Sequence, residues 1–143
     1  MNIDALKTLK RPASPNTYLV APEGLCEFAR IDQVSPIYPM TPQALQLALE
    51  AVIKTRKDWQ IKPDKLTDGH IAFVAVSGFL KFKDDVDIFI LPVLPSEASA
   101  GKMPISSQLA VYSRSRIGYS DMGANGKRVK ELLTAIGKVS PAP

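Results

Sequence analysis

Asp85-Val86-Asp87-Ile88-Phe89-Ile90-Leu91 alternates along its length, with Val86, Ile88 and Ile90 on one face and Asp85, Asp87 and Phe89 on the other. That period specifies a strand whose apolar face must be covered by a second layer. Working upstream, Gly78 and Lys83-Asp84 bracket a short connection, and Thr67-Asp68-Gly69 supplies a turn before His70–Phe79. This run of Ile, Phe and Val has strand composition, and Asp58 to Pro63 suits a shorter strand. Working downstream, Pro92 and Pro95 close the strand, and residues 95–106 form a small-residue loop that is long for a hairpin. Alternation then resumes over Ser107–Arg116.

Two segments have the helical period instead. Thr41-Pro42 is an N-cap followed by proline at the first helical position, and Leu45, Ala48, Leu49, Val52 and Ile53 then form one apolar stripe to about Arg56. Val129, Leu132, Leu133 and Ile136 form the second stripe, which Gly137 is expected to end. Sequential strands joined by short turns pair antiparallel, and one-sided helices bury their stripes on a sheet. The expected fold is therefore a two-layer α+β domain. It has an antiparallel sheet of four to five strands with two helices on one face, in the order β-α-β-β-β-β-α.

Residues 1–40 carry Pro12, Pro15, Pro22, Pro36 and Pro39, which favour an extended arm. Tyr18, Leu19, Val20, Leu25, Phe28 and Ile31 lie between them, so the arm should pack on the domain. The division expected is an arm at 1–40, one α+β domain at 41–139 and a frayed tail at 140–143. At 143 residues, 45% hydrophobic and 22% charged, the chain has globular composition and can bury a core without a disulfide or metal. Cys26 and His70 are the only residues of their kinds, which excludes an internal disulfide, Cys-rich zinc sites and two-histidine metal sites. The first ten residues lack a signal-peptide core, and no window approaches the ~18 apolar residues of a membrane span. A soluble, cytoplasmic protein is the expectation.

The net charge of +4 lies entirely in residues 110–143, where Arg114, Arg116, Lys127, Arg128, Lys130 and Lys138 face only Asp121 and Glu131. Within that third stands Ser113-Arg-Ser-Arg-Ile-Gly-Tyr-Ser-Asp-Met-Gly-Ala-Asn-Gly-Lys-Arg128. It resembles the signature of the bacterial and plastid family called domain of unknown function 1499, Ser-x-Ser-Arg-x-Gly-x-x-Asp-x-Gly-x-Asn-x-x-Arg. Ser113, Ser115, Arg116, Gly118, Asp121, Gly123, Asn125 and Arg128 all fall in place. Phe82, Asp84 and Asp85 match a Phe-x-Asp-Asp run of the family, and Pro15-Asn16 resembles its early Pro-Asn pair. The resemblance spans most of the chain and implies no assigned activity. Many such relatives resemble lipoproteins or membrane-anchored proteins, and this chain departs from them in lacking an anchor.

Strand alternation places Ser113 and Ser115 toward the helices, where small side chains let the last helix approach closely. Tyr112, Arg114 and Arg116 would face away, beside Asp85, Asp87 and Phe89, making cross-strand ion pairs. Arg116 should pair with Asp85 or Asp121. Asp121 is a candidate acceptor at the helix entry, with Gly118 and Gly123 permitting positive φ. Lys127 and Arg128 stand in the first turn of the last helix, against its dipole, and are the anion-binding candidates.

Catalytic motifs fail at the residues that matter. Gly118-x-x-x-x-Gly123 is followed by Ala124 where a phosphate loop needs Lys. Asp84 does not share a face with Asp85 and Asp87, and arginines neutralise the group. His70 follows a turn, no Gly-x-Ser-x-Gly elbow activates a serine, and Cys26 suits a small apolar plug. No enzyme, cofactor or metal is expected. The favoured function is a non-catalytic accessory or binding domain. It would engage a protein or a small amphiphilic or anionic ligand through an open sheet face (Tyr112, Arg114, Arg116, Phe89, Asp87) or the basic corner. The alternative is a nucleic-acid or anionic-surface binder using Arg114, Arg116, Lys127, Arg128 and Lys130, for which too few aromatics provide a base-stacking platform. An enzyme of unknown type is a distant third.

Overall fold

A computed structural model describes residues 1–78, 81–94, 106–118 and 120–139. After a short helix α1 (Ile3–Lys7) come β1 (Thr17–Ala21), β2 (Gln33–Val34), helix α2 (Pro42–Lys54) and β3 (Trp59–Ile61). A 3-10 turn at Pro63–Lys65 leads to β4 (His70–Val76), β5 (Lys83–Pro92), β6 (Ser107–Ser115) and helix α3 (Ala124–Val139). One six-stranded sheet runs in the order β2-β1-β6-β5-β4-β3. The meander β3 to β6 is antiparallel throughout, and β1 adds antiparallel to β6.

The α+β class stands, with corrections in count and order. The sheet has six strands, not four to five, and it is mixed, because β2 pairs with β1 in parallel. The arm contributes both of those strands. It also holds α1, a single turn whose entry is capped by Asn2 Oδ1 accepting from Ala5 N–H at 2.8 Å. Helix α3 runs through Gly137 to Val139. The loop expected at 95–106, apart from Ser106, and the tail at 140–143 lie outside the described residues.

α2 begins where Thr41 Oγ1 accepts from Ala44 N–H, with Pro42 at the first helical position. Its Leu45, Leu49 and Ile53 are fully buried at one face, each contributing about 1.5–3 kcal/mol before entropy is subtracted. They meet Ile71, Phe73, Val86, Ile88, Leu109 and Val111 from the sheet and Val129, Leu132 and Ile136 from α3. The strand alternation of β5 thus delivers Val86, Ile88 and Ile90 to the helices.

The other sheet face is covered too, and this overturns the expected open surface. Leu6 of α1, with Leu9, Leu25, Cys26 and Ile31 of the arm, packs on Leu19, Phe89, Ala110 and Tyr112. Phe89, Tyr112 and Asp87 are consequently buried. A proline-rich segment with that much apolar surface stabilises itself by covering the face that the charged pairs left half-apolar. Arg11 fastens it: its guanidinium reaches Thr17, the Arg30 carbonyl and Asp32, and Asp32 in turn accepts from Leu19 N–H at 2.8 Å.

Candidate functional site

The signature residues converge where β5, β6, the arm and α3 join. Asp121 caps α3: Oδ1 accepts from Gly123 N–H at 2.8 Å, and Oδ2 accepts from Asn125 N–H at 3.0 Å. The turn into this cap needs the left-handed backbone at Gly118 (φ 89°) and Gly123 (φ 82°), as expected of both. Asn125 is the buried centre. The two hydrogens of its amide nitrogen are shared among Asp121 Oδ2 (2.6 Å), Ser115 Oγ (2.9 Å) and the Asn16 carbonyl (3.0 Å). Its Oδ1 accepts from Ser113 Oγ and from Arg128 Nη1 at 2.8 Å. Only this amide orientation faces the oxygen toward the guanidinium and the nitrogen toward the carboxylate.

Arg128 extends the network inward, donating to Asp84 Oδ2 at 2.8 Å and to Ser113 Oγ at 3.1 Å. Asn16 closes the circuit by donating to the Gly118 carbonyl at 2.7 Å. The pairing of Lys127 and Arg128 as an anion site is therefore corrected. Arg128 turns into the protein because Asp84, in step with Val86 and Ile88, presents a buried carboxylate that must be paired. Lys127 stays exposed. Arg128 is the fifth residue of α3, one place beyond the first turn in which it was expected, and its charge near the helix start is neutralised by Asp84. Ser113 and Ser115 are more than small spacers, since their hydroxyls are members of the network.

Arg116 and Asp85 stand apart, on the opposite sheet face. Arg116 grips both oxygens of Asp85 at 2.9 and 3.0 Å, and Lys62 reaches the same carboxylate at 3.1 Å. Alongside, buried Asp87 accepts from Arg114 Nη1 at 2.6 Å and from His70 Nε2 at 2.7 Å, while the His70 ring stacks on Phe89. The imidazole is thus committed to one carboxylate and one ring.

The Arg116 hydrogen bonds, opposed by burial and assisted by Lys62, hold the Asp85 carboxyl down at about 2, below its ordinary 3.8. A depressed folded-state pKa stabilises the fold above the unfolded value, and this contribution fades as pH falls from about 4 to about 2. Asp85→Asn is expected to flatten the stability profile across that window, measured by urea unfolding at each pH. A variant profile as steep as wild type would show that Asp85 carries none of the acid sensitivity. Asp121 shifts downward too; burial opposes ionisation there, but donors from Asn125 and Gly123 outweigh it.

Beside the network lies a feature absent from the sequence reading, a groove of about 1420 Å³. Its walls include Ala48, Ala51 and Val52 of α2, Gly126 and Ala135 of α3, and Tyr18 of β1. Gly126 matters to its shape: a Cβ there would stand 3.1 Å from the Tyr18 ring. Lys127, Lys130 and Lys138 line it as cations, and Lys130 lies over Tyr18 at 5.7 Å. The acids of the lining are engaged elsewhere, Glu131 with Arg56 and Asp121 with the helix cap. No group of three or more His, Cys, Asp or Glu that could hold a metal occurs among the described residues, and none of their helices is long and apolar enough to cross a membrane.

This arrangement defines an α+β domain tied by a buried polar network at the entry of its last helix. The chain belongs to the family described as "Protein of unknown function (DUF1499)", whose model matches residues 9–136. No curated protein and no solved structure is significantly similar to it.

Proposed function

We propose that the chain is a non-catalytic binding domain whose ligand is a single-chain amphiphile with an anionic head, of the long-chain carboxylate type. The groove carries this reading: small apolar side chains leave width for a methylene chain, and lysines on the lining match a carboxylate. The signature network serves as the rigid wall behind it, since Asp121 and Gly123 belong to both. The ligand's apolar body would lie against Ala48, Ala51, Val52 and Ala135, with its head at Lys127 and Lys130.

Calorimetric titration with a long-chain fatty acid below its micellar limit tests the reading. Saturable binding is expected, weakened about tenfold or more by Ala51→Trp, which fills the groove, and by Lys130→Glu, which removes a charge-assisted contact. Ala51 and Lys130 are exposed, so neither change should disturb the core. Absence of saturable binding in the wild type, or equal binding by both variants, would sink it. The nucleic-acid alternative loses support because Arg114, Arg116 and Arg128 are each bound to a carboxylate. A steep fall of any polynucleotide affinity with salt would revive it.

A further inference from the structure

The start of β5 and the end of β6 lie side by side at one end of the sheet. Arg116 N–H donates to the Lys83 carbonyl at 3.3 Å, continuing the Asp84↔Ser115 pairing outward. Phe82 and Ile117, the next residues on the two chains, therefore leave the sheet as neighbours. Phe82 is 46% exposed, Ile117 63%, and Met122 on the following turn 96%. Isolated apolar side chains on a surface need no explanation, but Phe82 and Ile117 leave paired strands side by side, and Met122 follows before α3.

The backbone there is held against its preference. Lys81 has φ 54° and Met122 φ 53°, the left-handed region that glycine or asparagine occupies at less strain. A methionine wholly in water at a strained position adds nothing to the fold, and strain of this kind collects where a side chain is presented to something else. Lys81 and Lys83 flank Phe82 in sequence and are exposed, and Lys62 and Arg116 share Asp85 on the other face of the same sheet end. Asp85, shared by Lys62 and Arg116, offsets that charge only in part.

We propose that this end of the sheet is a membrane-docking tip, in which Phe82, Ile117 and Met122 enter the interface of a bilayer and the surrounding cations meet anionic lipid headgroups. Apolar side chains flanked by lysines are complementary to such a surface: the first gain by leaving water, the second by proximity to phosphate. Ser120, Asp121 and Gly123, which flank Met122, line one part of the groove. Insofar as the groove holds an amphiphile, as proposed above, docking would set that part against the bilayer.

Co-sedimentation of the full chain with lipid vesicles tests the tip. Wild type is expected to sediment with phosphatidylcholine vesicles containing about one third phosphatidylglycerol, less with phosphatidylcholine alone, and less again as salt rises. The combined variant Phe82→Ser, Ile117→Ser, Met122→Gly should lose at least tenfold in vesicle affinity without a lower melting temperature, because the residues are exposed and glycine relieves the strain at 122. Lys81→Glu with Lys83→Glu should abolish the preference for anionic vesicles. Ala51→Trp should sediment like wild type, which separates the tip from the groove. Failure of wild type to bind anionic vesicles, or equal binding by the apolar triple variant, overturns the proposal. A triple variant that keeps vesicle binding but loses self-association or an acidic protein partner would overturn it in favour of a protein contact.

Discussion

Arg128→Ala will lower stability by about 3–5 kcal/mol, the usual cost of stripping one partner from a buried ion pair. The loss has two parts. Asp84 is left as a buried carboxylate with no guanidinium at 2.8 Å, and Ser113 and Asn125 each lose a charged donor. Replacing both partners, Asp84→Leu with Arg128→Met, should cost much less than either truncation, since no charge is then buried alone. Urea unfolding of the two singles and the double measures the difference. A single truncation costing under about 1 kcal/mol, in the range of exposed pairs, would mean that water reaches the network and that the pair is peripheral.

Leu6→Ala is expected to cost about 2–5 kcal/mol, the range for truncating a buried leucine. Leu6 is fully buried on a one-turn helix, and that helix has little stability of its own. Its packing on Phe89 and Tyr112 is what holds it. The readout that separates this from ordinary core damage is local: amide exchange over residues 2–8 and over the neighbouring arm should accelerate far more than exchange in β4 and β5. Uniform acceleration across the sheet would show that the arm and the core open together. Slow exchange in the variant arm would show that its polar ties, Arg11 to Thr17 and Asp32, hold it unaided.

The meander and its helices were legible because their signals are local. Val86, Ile88 and Ile90 alternate, and Thr41-Pro42 marks a helix start, so neither needs information from elsewhere in the chain. What escaped depends on distant partners. Strand β2 has two residues and exists through β1, and α1 is a single turn secured by a face contributed from β5 and β6. The burial of Arg128 escaped for a related reason. A guanidinium near a helix start suggests solvent until Asp84, 44 residues away, is placed beside it. A signal was nonetheless present: Asn125, Arg128, Leu132 and Ile136 continue the apolar stripe backward at helical spacing, and Asp84 keeps step with Val86. Two polar residues on buried registers of different elements are candidates to meet. The groove left no comparable trace, because alanines and a glycine on two helices acquire a common wall only when the helices are side by side.

The seating of β1 against β6 bears on how the chain is made. Asn125 donates to the Asn16 carbonyl across 109 residues of sequence, and Thr17 lies opposite Arg114. On the ribosome, β1 thus waits for a neighbour that is translated 97 residues later (Thr17 to Arg114). Leu19, Val20 and the apolar arm are exposed until β6 has emerged, while β3 to β5 can pair as they appear. Contacts of such separation slow folding and lengthen the life of sticky intermediates. Nascent chains stalled before residue 107 should therefore bind chaperones through the arm, and chains released after α3 should not.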